Sequence, residues 1–466
     1  MQQSKIWRQP CQNESMFSSY REILSKPGAA LFSAAGFAAR YPMALISLSM
    51  LILIHTAYGN YTIAGQVNAV GILGFAAGAP MLARLVDRYG QAKVMRPAIM
   101  LSSASLLAVA GVAAIQGPVW LLYVFSVTAG MFAGSIGAMV RSRWSNLLHQ
   151  PDLLNTAFAL EAALDEIVFM TGPMIATALT TYVHPTAGLI ACAVIGVLGG
   201  IWFFSLRATE PAPTGKIAAG SLDAGMIMKS GTMLSIAATF VGAGAMLGSI
   251  DVAVVEFTKE LGVPASAGLQ LGIMATGSLL GALIFGSRQW RVPLSRIYIS
   301  VVIALALGTS TFLFTTAQWS LGIAMFITGM AFAPTITIAT TIVQRIVPAS
   351  RLTEGLTWMN TFMNIGTATG LTVAGRLTDL HGSTGGFFMA MIGGAAMTVV
   401  AVATLPLIRT SLRASRRQHS QELQDAISGE EHTESSTGRT EDLSSSAETA
   451  GSAESAETQN PGEKVE

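Results

Sequence analysis

Twelve long stretches of mostly apolar residues restrict the fold of this chain more than any other feature. A helix that crosses a hydrocarbon layer of about 30 Å needs about 20 apolar residues, and each stretch has roughly that length. Only 11% of the 466 residues are charged, and the mean hydropathy is +0.54. Soluble domains carry about 25% charged residues, so a water-soluble globular protein is excluded. The stretches cover residues 36–58, 62–84, 96–115, 118–140, 157–181, 186–205, 231–257, 266–286, 295–315, 320–342, 353–376 and 386–407.

The longest connection between these stretches divides the chain into two sets of six spans. It covers residues 206–230, and its sequence RATEPAPTGK is rich in proline and polar residues, which is typical of a linker. The predicted organisation is a cytoplasmic leader at 1–35, a first six-helix bundle at 36–205, the linker, a second bundle at 231–407 and a tail at 408–466.

Basic residues indicate the orientation, because cytoplasmic loops retain Lys and Arg. If both termini are cytoplasmic, every Lys and Arg except Lys259 and Arg376 lies on the inner side or at an inner helix end. We therefore predict a multi-pass protein of the cell membrane with both termini in the cytoplasm. The polar segment Met1–Lys26 lacks the apolar core of a signal peptide.

The end of the chain has a different composition from the rest. From Gln418 onward it consists mainly of Ser, Glu, Thr, Ala and Gly. Such a segment buries too little apolar surface to offset the entropy of ordering, so we predict a disordered acidic tail. It is a solvated extension or, as an alternative, a regulatory segment.

Several kinds of function lack the residues that they need. The net charge is +1 and the basic residues fall in short loops, which leaves no basic face for a nucleic acid. Cys11, Cys192 and the six histidines are scattered, so neither a metal site nor an enzyme centre with a nucleophile and a base is expected. The sequence also has no GxxxxGKS loop for ATP. We predict no enzyme and no cofactor, with a proton gradient as the source of energy.

The two sets of spans show a weak internal repeat. At an offset of 203 residues, Gly74 and Gly78 in the second span match Gly277 and Gly281 in the eighth. Small residues at this GxxxG spacing let two helices approach closely in lipid. We therefore expect equivalent helix contacts in the two halves, as in transporters built from repeats.

The loop after the second span, LARLVDRYGQAKVMRP at residues 82–97, resembles the signature loop of the major facilitator superfamily. An acidic residue stands beside an arginine and is followed by a glycine and a lysine, although Ala83 replaces the usual first glycine. The resemblance implies an all-α membrane fold of twelve transmembrane helices in two pseudo-symmetric six-helix bundles. It also implies a cytoplasmic gate loop formed by Asp87, Arg88, Gly90 and Lys93. The expected gate partners are basic residues at inner helix ends: Arg141, Arg143, Arg345 and Arg351.

Three carboxylates lie within the apolar fifth span, ALEAALDEIVFMTGP at 159–173. A charge at the bilayer centre costs about 2.5 to 3.5 kcal/mol on insertion scales, so such residues normally face the protein interior and are functional. Glu161 and Asp165 share one helix face, whereas Glu166 points about 100° away. Two carboxylates on one face in a low dielectric do not both ionise easily, so we expect one of them to carry a proton. The alternative is that Glu161 simply pairs with Arg141 or Arg143.

The pair Gly172-Pro173 follows these acids. Proline has no amide hydrogen to donate, so we predict a helix break at this point. The pair resembles the Gly-Pro of the fifth-helix motif in facilitator antiporters. The wider string, with its Asp-Glu-Ile-Val-Phe core, resembles a group of actinobacterial facilitators described as drug or sugar exporters.

Other polar residues in the spans complete the set of candidates. Asp251 has small or apolar neighbours on both sides, so we expect it to face a cavity, whereas Glu256 is expected only to mark the outer end of its span. His55 is either a substrate contact or a hydrogen-bond partner within the bundle. Asn360 and Asn364 share a face of the eleventh span and are assigned to the same cavity.

The predicted function is secondary active transport of a small organic molecule, drug-like or sugar-like. The resemblance favours proton-coupled efflux by alternating access, with the protein acting as a monomeric antiporter in the lipid bilayer. Two alternatives remain open: a proton-coupled uptake permease, and a transport-inactive membrane receptor or scaffold.

Overall fold

The protein is built from α-helices. The computed structural model describes residues 16–148, 150–213, 231–286, 292–347 and 352–414, and these ranges contain no β-strand. A helical segment at 405–414 follows the last of the main helices. The main helices are α1 (Met16–Ser25), α2 (Ala29–Tyr58), α3 (Tyr61–Tyr89), α4 (Gln91–Ala114), α5 (Val119–Ala133), α6 (Ile136–Leu147), α7 (Pro151–Ala178), α8 (Ala187–Ser205), α9 (Gly231–Glu260), α10 (Ala267–Gly286), α11 (Leu294–Ser310), α12 (Gln318–Ile346), α13 (Leu352–His381) and α14 (Ser383–Ala403).

The helices match the predicted spans in order. Within the described part of the chain, eleven segments are long and apolar enough to cross a membrane, with α5 and α6 together forming one of them. α13 has 30 residues and occupies the position of the eleventh predicted span, but it is more polar than the others. The prediction of an all-α protein with twelve membrane helices is thus confirmed.

We call the end of the bundle where α2 begins and α8 ends the near side, and the end where α2 stops and α3 begins the far side. The sequence predicts that the near side is cytoplasmic. Each odd-numbered span runs from the near side to the far side, and each even-numbered span returns.

The internal repeat is confirmed by equivalent contacts in the two halves. A Cβ atom on Gly74 or Gly78 of α3 would collide with the backbone of α5, and one on Gly277 or Gly281 of α10 would collide with the backbone of α12. Glycines of the partner helices reciprocate, since Gly130 abuts α3 and Gly329 abuts α10. Each half therefore contains one helix pair in direct backbone contact, as the GxxxG spacing predicts.

The two halves meet along two further helix pairs. α3 packs against α13, where the backbone of Leu371 lies against Gly65, and α7 packs against α10, where the backbone of Pro173 lies against Gly268. Gly65 and Gly268 are again 203 residues apart. Both contacts lie towards the far side, because Gly65 is close to the start of α3 and Gly268 is close to the start of α10.

Two predicted helix features differ from the structure. The fourth span is interrupted at mid-length, where Gly134 has a φ of +64° and separates α5 from α6. In contrast, the break predicted at Gly172-Pro173 is absent: α7 continues to Ala178, and a wider helical turn covers Leu179–Val183. Gly172 instead provides close packing, because a Cβ atom there would lie 2.5 Å from that of Ala44 in α2.

The predicted segment boundaries also shift. Residues 29–35, assigned to the leader, belong to α2, and α1 precedes them with Ile23 buried in the core. The first residues of the predicted linker pack onto the bundle, since the hydroxyl of Thr209 accepts a hydrogen bond from Arg143 at 3.1 Å. Residues 214–230 of the linker and the acidic tail from residue 415 lie outside the described ranges.

Candidate functional site

Four charged residues, two of them buried and two partly exposed, form a cluster between α2, α6 and α7. The guanidinium of Arg40 is 2% exposed, and it forms one ion pair with Glu161 and a second with Asp165, at 2.6 Å. Arg141 binds the other oxygen of Asp165 at 2.8 Å. The cluster contains two acids and two bases, so its formal charge is zero.

Glu161 is the fully buried carboxylate of this cluster. Its side chain is 0% exposed, and besides Arg40 it accepts hydrogen bonds from Ser33 Oγ and Trp144 Nε1, both at 2.7 Å. An indole and a guanidinium can only donate, so both carboxylate oxygens of Glu161 act as acceptors in this arrangement. Glu161 therefore anchors three helices together. The sequence left open an ion pair of Glu161 with Arg141 or Arg143. Glu161 does form an ion pair, but its partner is Arg40.

Asp165 is the accessible member. Its side chain is 20% exposed and that of Arg141 is 39% exposed, whereas that of Glu161 is fully covered. Protonation would remove the negative charge that holds two guanidinium groups, Arg40 and Arg141, in place. Of the two carboxylates predicted to share one face, Asp165 is the more exposed.

The local sequence explains how the cluster is assembled. Arg40 lies eleven residues into α2, about 16 Å from its start at 1.5 Å per residue, so it belongs to the span and not to its end. The interruption at Gly134 starts a new helix, α6, which carries Arg141 and Trp144 to α7. Gly137 leaves room for the guanidinium groups, because a Cβ atom there would lie 3.3 Å from Arg141 Nη1.

Asp251 lies at the interface of the two halves. Ser47 Oγ of α2 donates a hydrogen bond to its carboxylate at 3.2 Å, and Asn68 Nδ2 of α3 donates to Ser47 O at 2.6 Å. The described residues provide no Lys, Arg or His partner for Asp251. Ser47 and Asn68 were not identified from the sequence, because single small polar residues are common in membrane helices.

A second charged cluster joins the two halves on the far side. Lys259 Nζ lies 3.1 Å from the Glu256 carboxylate and 3.0 Å from His55 Nε2. The hydroxyl of Tyr61 donates to the same carboxylate at 2.7 Å, and its ring stacks on that of His55 with centroids 3.7 Å apart. His55 is thus a hydrogen-bond partner within the bundle, one of its two predicted roles, and Glu256 does mark the far end of its span. Both residues join α9 to the first half.

Asp379 of α13 binds the start of α3 in the other half. Its carboxylate accepts hydrogen bonds from Tyr61 N and Thr62 N, both at 2.7 Å, and from Thr62 Oγ1 at 2.6 Å. The first amide groups of a helix lack partners within the helix and carry a partial positive charge. Asp379 therefore caps a helix that begins 318 positions earlier in the chain. Asp379 is not among the residues predicted from the sequence.

Among the residues that the structure describes, no hydrogen bond or ion pair joins the remaining predicted cavity residues to the charge cluster. Glu166 is half-buried on α7 and makes no hydrogen bond or ion pair with any residue that the structure describes. Asn360 is exposed on α13, and Asn364 is partly buried one turn further on. An aromatic pair on the same helix, Trp358 and Phe362, has ring centroids 6.0 Å apart.

The predicted gate loop lies on the near side, at the junction of α3 and α4. Gly90 has a φ of +93° and separates the two helices. Arg88 and Lys93 both lie over the ring of Tyr89, at 5.0 and 5.8 Å from its centroid. Asp87 is exposed in the last turn of α3.

The predicted gate partners separate into different environments. Arg143 is buried and binds Gln91 Oε1 at 2.9 Å and Leu206 O at 2.8 Å, with its guanidinium over the ring of Phe203. It ties α6 to α4 and α8 and is unsuitable as a gate partner. Arg345 is exposed at the near end of α12, while Arg351 lies outside the described residues, so the contact predicted with Asp87 stays a prediction.

Comparisons with known proteins agree with this architecture. The family model described as the Major Facilitator Superfamily matches residues 32–252 and 232–431. A solved structure of the nucleoside transporter NupG has a TM-score of 0.66 and 16% identity, and it covers 81% of this chain and 98% of that one. A mutant of NupG gives a TM-score of 0.67 at 14% identity, over 81% and 99% of the two chains.

A third similar structure is a bacterial homolog of the human lysosomal transporter Spinster, in an inward-facing and unoccupied conformation. It has a TM-score of 0.61 and 12% identity, over 85% of this chain and 97% of that one. No curated protein sequence matches this chain. At these identities the likeness concerns the fold.

Proposed function

The chain belongs to the major facilitator superfamily, and we propose that it exports a small organic molecule from the cytoplasm in exchange for protons. Membership gives the general activity, transport of a small molecule by a multi-pass membrane protein. The coupling ion, the direction and the cell membrane as location are proposals, which rest on the residues of this chain.

The bridging position of Asp165 is the observation that carries the proton coupling. A carboxylate held between Arg40 and Arg141 inside a set of apolar helices is costly to place there, and its partial exposure gives it a path to solvent. Proton uptake weakens both ion pairs and releases Arg141, so α6 can separate from α7. Because α7 packs against α10 of the other half, this change reaches the interface on which alternating access depends.

The far-side contacts supply the second element of an alternating-access cycle. Asp379 holds the start of α3, and Tyr61 and His55 hold the end of α9. These contacts must break for the far side to open. The near-side loop at Asp87 is proposed as the opposing latch, with Arg345 or Arg351 as its partner.

The substrate is proposed to be an amphipathic organic molecule, drug-like or sugar-like. The aromatic pair on α13 offers flat apolar surface, and Asn360 and Asn364 offer hydrogen bonds on the same helix. The similar structures include a nucleoside transporter, which is compatible with this size of molecule.

Transport by membrane vesicles tests the proposal. A growth screen of deletion and overexpressing strains against toxic compounds and sugars identifies a compound, which is then offered to inverted vesicles with an acidic interior. The wild-type protein should accumulate it, Asp165→Asn should abolish accumulation, and Glu260→Gln, which alters a carboxylate at the far end of α9, should retain it. Accumulation that stays dependent on the pH gradient in Asp165→Asn would exclude Asp165 as the proton carrier.

Direction and orientation have separate tests. Accumulation by right-side-out cells, and not by inverted vesicles, would show an uptake permease. Single cysteines at Thr316 on the far side and at Ala212 on the near side should differ in intact cells, with only Thr316→Cys reacting with an impermeant maleimide. Labelling of Ala212→Cys would reverse the proposed orientation.

A further inference from the structure

A pocket of about 550 Å³ opens on the near side, between the start of α4 and the segment that follows α8. Three basic side chains, Lys93, Arg96 and Arg207, line it together with one acid, Glu210. Tyr89, at the end of α3, forms a further wall. The pocket is outside the charge cluster at Asp165 and outside the interface of the two halves.

The acid in the pocket is already engaged. Glu210 Oε1 accepts a hydrogen bond from Ala92 N at 2.9 Å and so caps the start of α4. Lys93 and Arg207 are exposed and have no carboxylate partner among the residues that the structure describes. Three positive charges therefore face one negative charge, which favours an anionic ligand.

Arg96 is held ready for such a ligand. Its Nη2 donates to Phe204 O at 2.9 Å and to Ser205 Oγ at 3.1 Å, so the end of α8 fixes the direction of the side chain. Its Nε is buried and has no partner among the described atoms. The contacts with the end of α8 therefore hold the positive charge of Arg96 at the wall of the pocket.

An apolar surface begins directly beside the pocket. α4 and α8 pack together, with Gly200 against Ile99, and their outward faces expose large apolar side chains along the helix axes. On α4 these are Met100, Leu101 and Leu107, and on α8 they are Leu198, Ile201 and Trp202. A ligand whose phosphate lies in the pocket would therefore have hydrocarbon-compatible surface on both helices next to it.

We propose that this pocket binds the phosphate headgroup of an anionic phospholipid, with the acyl chains lying on the exposed faces of α4 and α8. Basic pockets between membrane helices on the cytoplasmic side are suited to such headgroups, and a tryptophan at the level of Trp202 is typical of the membrane interface. A free phosphate shares the headgroup chemistry but would gain nothing from the apolar surface. The lipid would lie beside Gly90 and Lys93, so it would contact the proposed gate loop.

Lipid titration of the purified, delipidated full-length protein tests the proposal. Phosphatidylglycerol binding is measured by native mass spectrometry, with phosphatidylcholine as the neutral reference. The double variant Lys93→Gln/Arg207→Gln should bind phosphatidylglycerol about 30-fold more weakly, because each basic residue near an anionic headgroup contributes about a fivefold factor. Both side chains are exposed, so the melting temperature in phosphatidylcholine should not change.

The matched control removes the same charge elsewhere on the near side. Arg84 and Arg296 are exposed and do not line the pocket, so Arg84→Gln/Arg296→Gln should keep wild-type binding within about twofold. Equal weakening in both double variants would show only a general attraction to anionic surfaces and would overturn the assignment.

Inorganic phosphate and glycerol 3-phosphate distinguish the two sources of the headgroup chemistry. The proposal predicts that neither displaces phosphatidylglycerol at millimolar concentration. If either displaces the lipid at micromolar concentration, the pocket is a site for a soluble phosphate and the acyl chains contribute nothing.

Discussion

Replacing Asp379 with asparagine should open the far side of the protein. The carboxylate accepts three hydrogen bonds from the first residues of α3, all between 2.6 and 2.7 Å. Asparagine has the same shape, but only one of its two terminal atoms can accept a hydrogen bond and its amide would face the backbone donors. Because α13 and α3 belong to different halves, the loss acts on the contact that keeps the halves together.

The magnitude follows from these contacts. A hydrogen bond to a charged group contributes about 1.5 to 3 kcal/mol, and Asp379→Asn removes the charge and at least one such bond. The attraction of a carboxylate to a helix N-terminus adds about 0.3 to 1 kcal/mol. In the open form Asp379 is solvated, so these terms are lost from the closed form alone. We expect a shift of about 2 kcal/mol, which changes the ratio of closed to open protein about 30-fold.

Distances between spin labels measure this ratio. Labels at Gln116 in the first half and Thr316 in the second half report the separation of the two far-side ends in reconstituted protein. Asp379→Asn should convert a mainly short distance distribution into a mainly long one. Glu260→Gln is the control, because Glu260 caps the start of α14 through Ser383 N at 2.8 Å, within one half.

The control should lower the melting temperature without changing the distance distribution. An unchanged distribution in Asp379→Asn would refute the reasoning, since it would mean that the capping bonds do not hold the halves together. An equal change in Glu260→Gln would also refute it, because the effect would then come from general destabilisation.

Three further predictions follow from the other contacts. Arg40→Leu leaves Glu161 buried without a counter-charge and should lower the free energy of unfolding by about 3 to 5 kcal/mol, measured by denaturant titration in detergent. A loss below about 1 kcal/mol would contradict a structural role. Lysine can only donate, so His55 is neutral while it accepts a hydrogen bond from Lys259. Protonation of His55 would break this contact between the halves, so acidifying the far side should lengthen the distance between the spin labels at Gln116 and Thr316. A lengthening that persists in His55→Gln would contradict this. Gly277→Leu should prevent accumulation of folded protein, whereas Gly111→Leu, where a Cβ atom meets nothing within 4 Å, should accumulate normally in the membrane fraction.

Much of the architecture could be predicted from the sequence because membrane helices are local objects. A run of about 20 apolar residues specifies a span without reference to its neighbours. The GxxxG pairs at Gly74 and Gly277 could be matched between halves because the offset of 203 residues preserves their position in equivalent helices. The interruption of the fourth span at Gly134 could not be predicted. Glycine is frequent throughout the chain, and only the structure shows which glycines have a positive φ.

Part of the site could also be predicted, because two of its residues stand out within the sequence of a single helix. Glu161 and Asp165 stand out as acids in an apolar helix, and they do lie together. Arg40 was assigned to the inner end of its span and was not counted as a site residue. The rule applied to the acids, that a charge within an apolar span is normally functional, also applies to Arg40. Asp379 gave no local signal, because what it caps begins 318 residues away and only the packing of α13 on α3 brings them together.

The length of α3 gives the two sides of the protein a mechanical connection. This helix has 29 residues and is therefore about 43 Å long. Asp379 binds its far end by hydrogen bonds, and the loop containing Asp87 lies at its near end. Backbone contact with α5 supports the part between. A rigid helix held in this way pivots about its contact with α5. A displacement of its far end by α13 should therefore move its near end in the opposite direction. Pro80 interrupts the ladder of hydrogen bonds in α3, so the helix would bend there first, and a bend at Pro80 would uncouple the movements of its two ends.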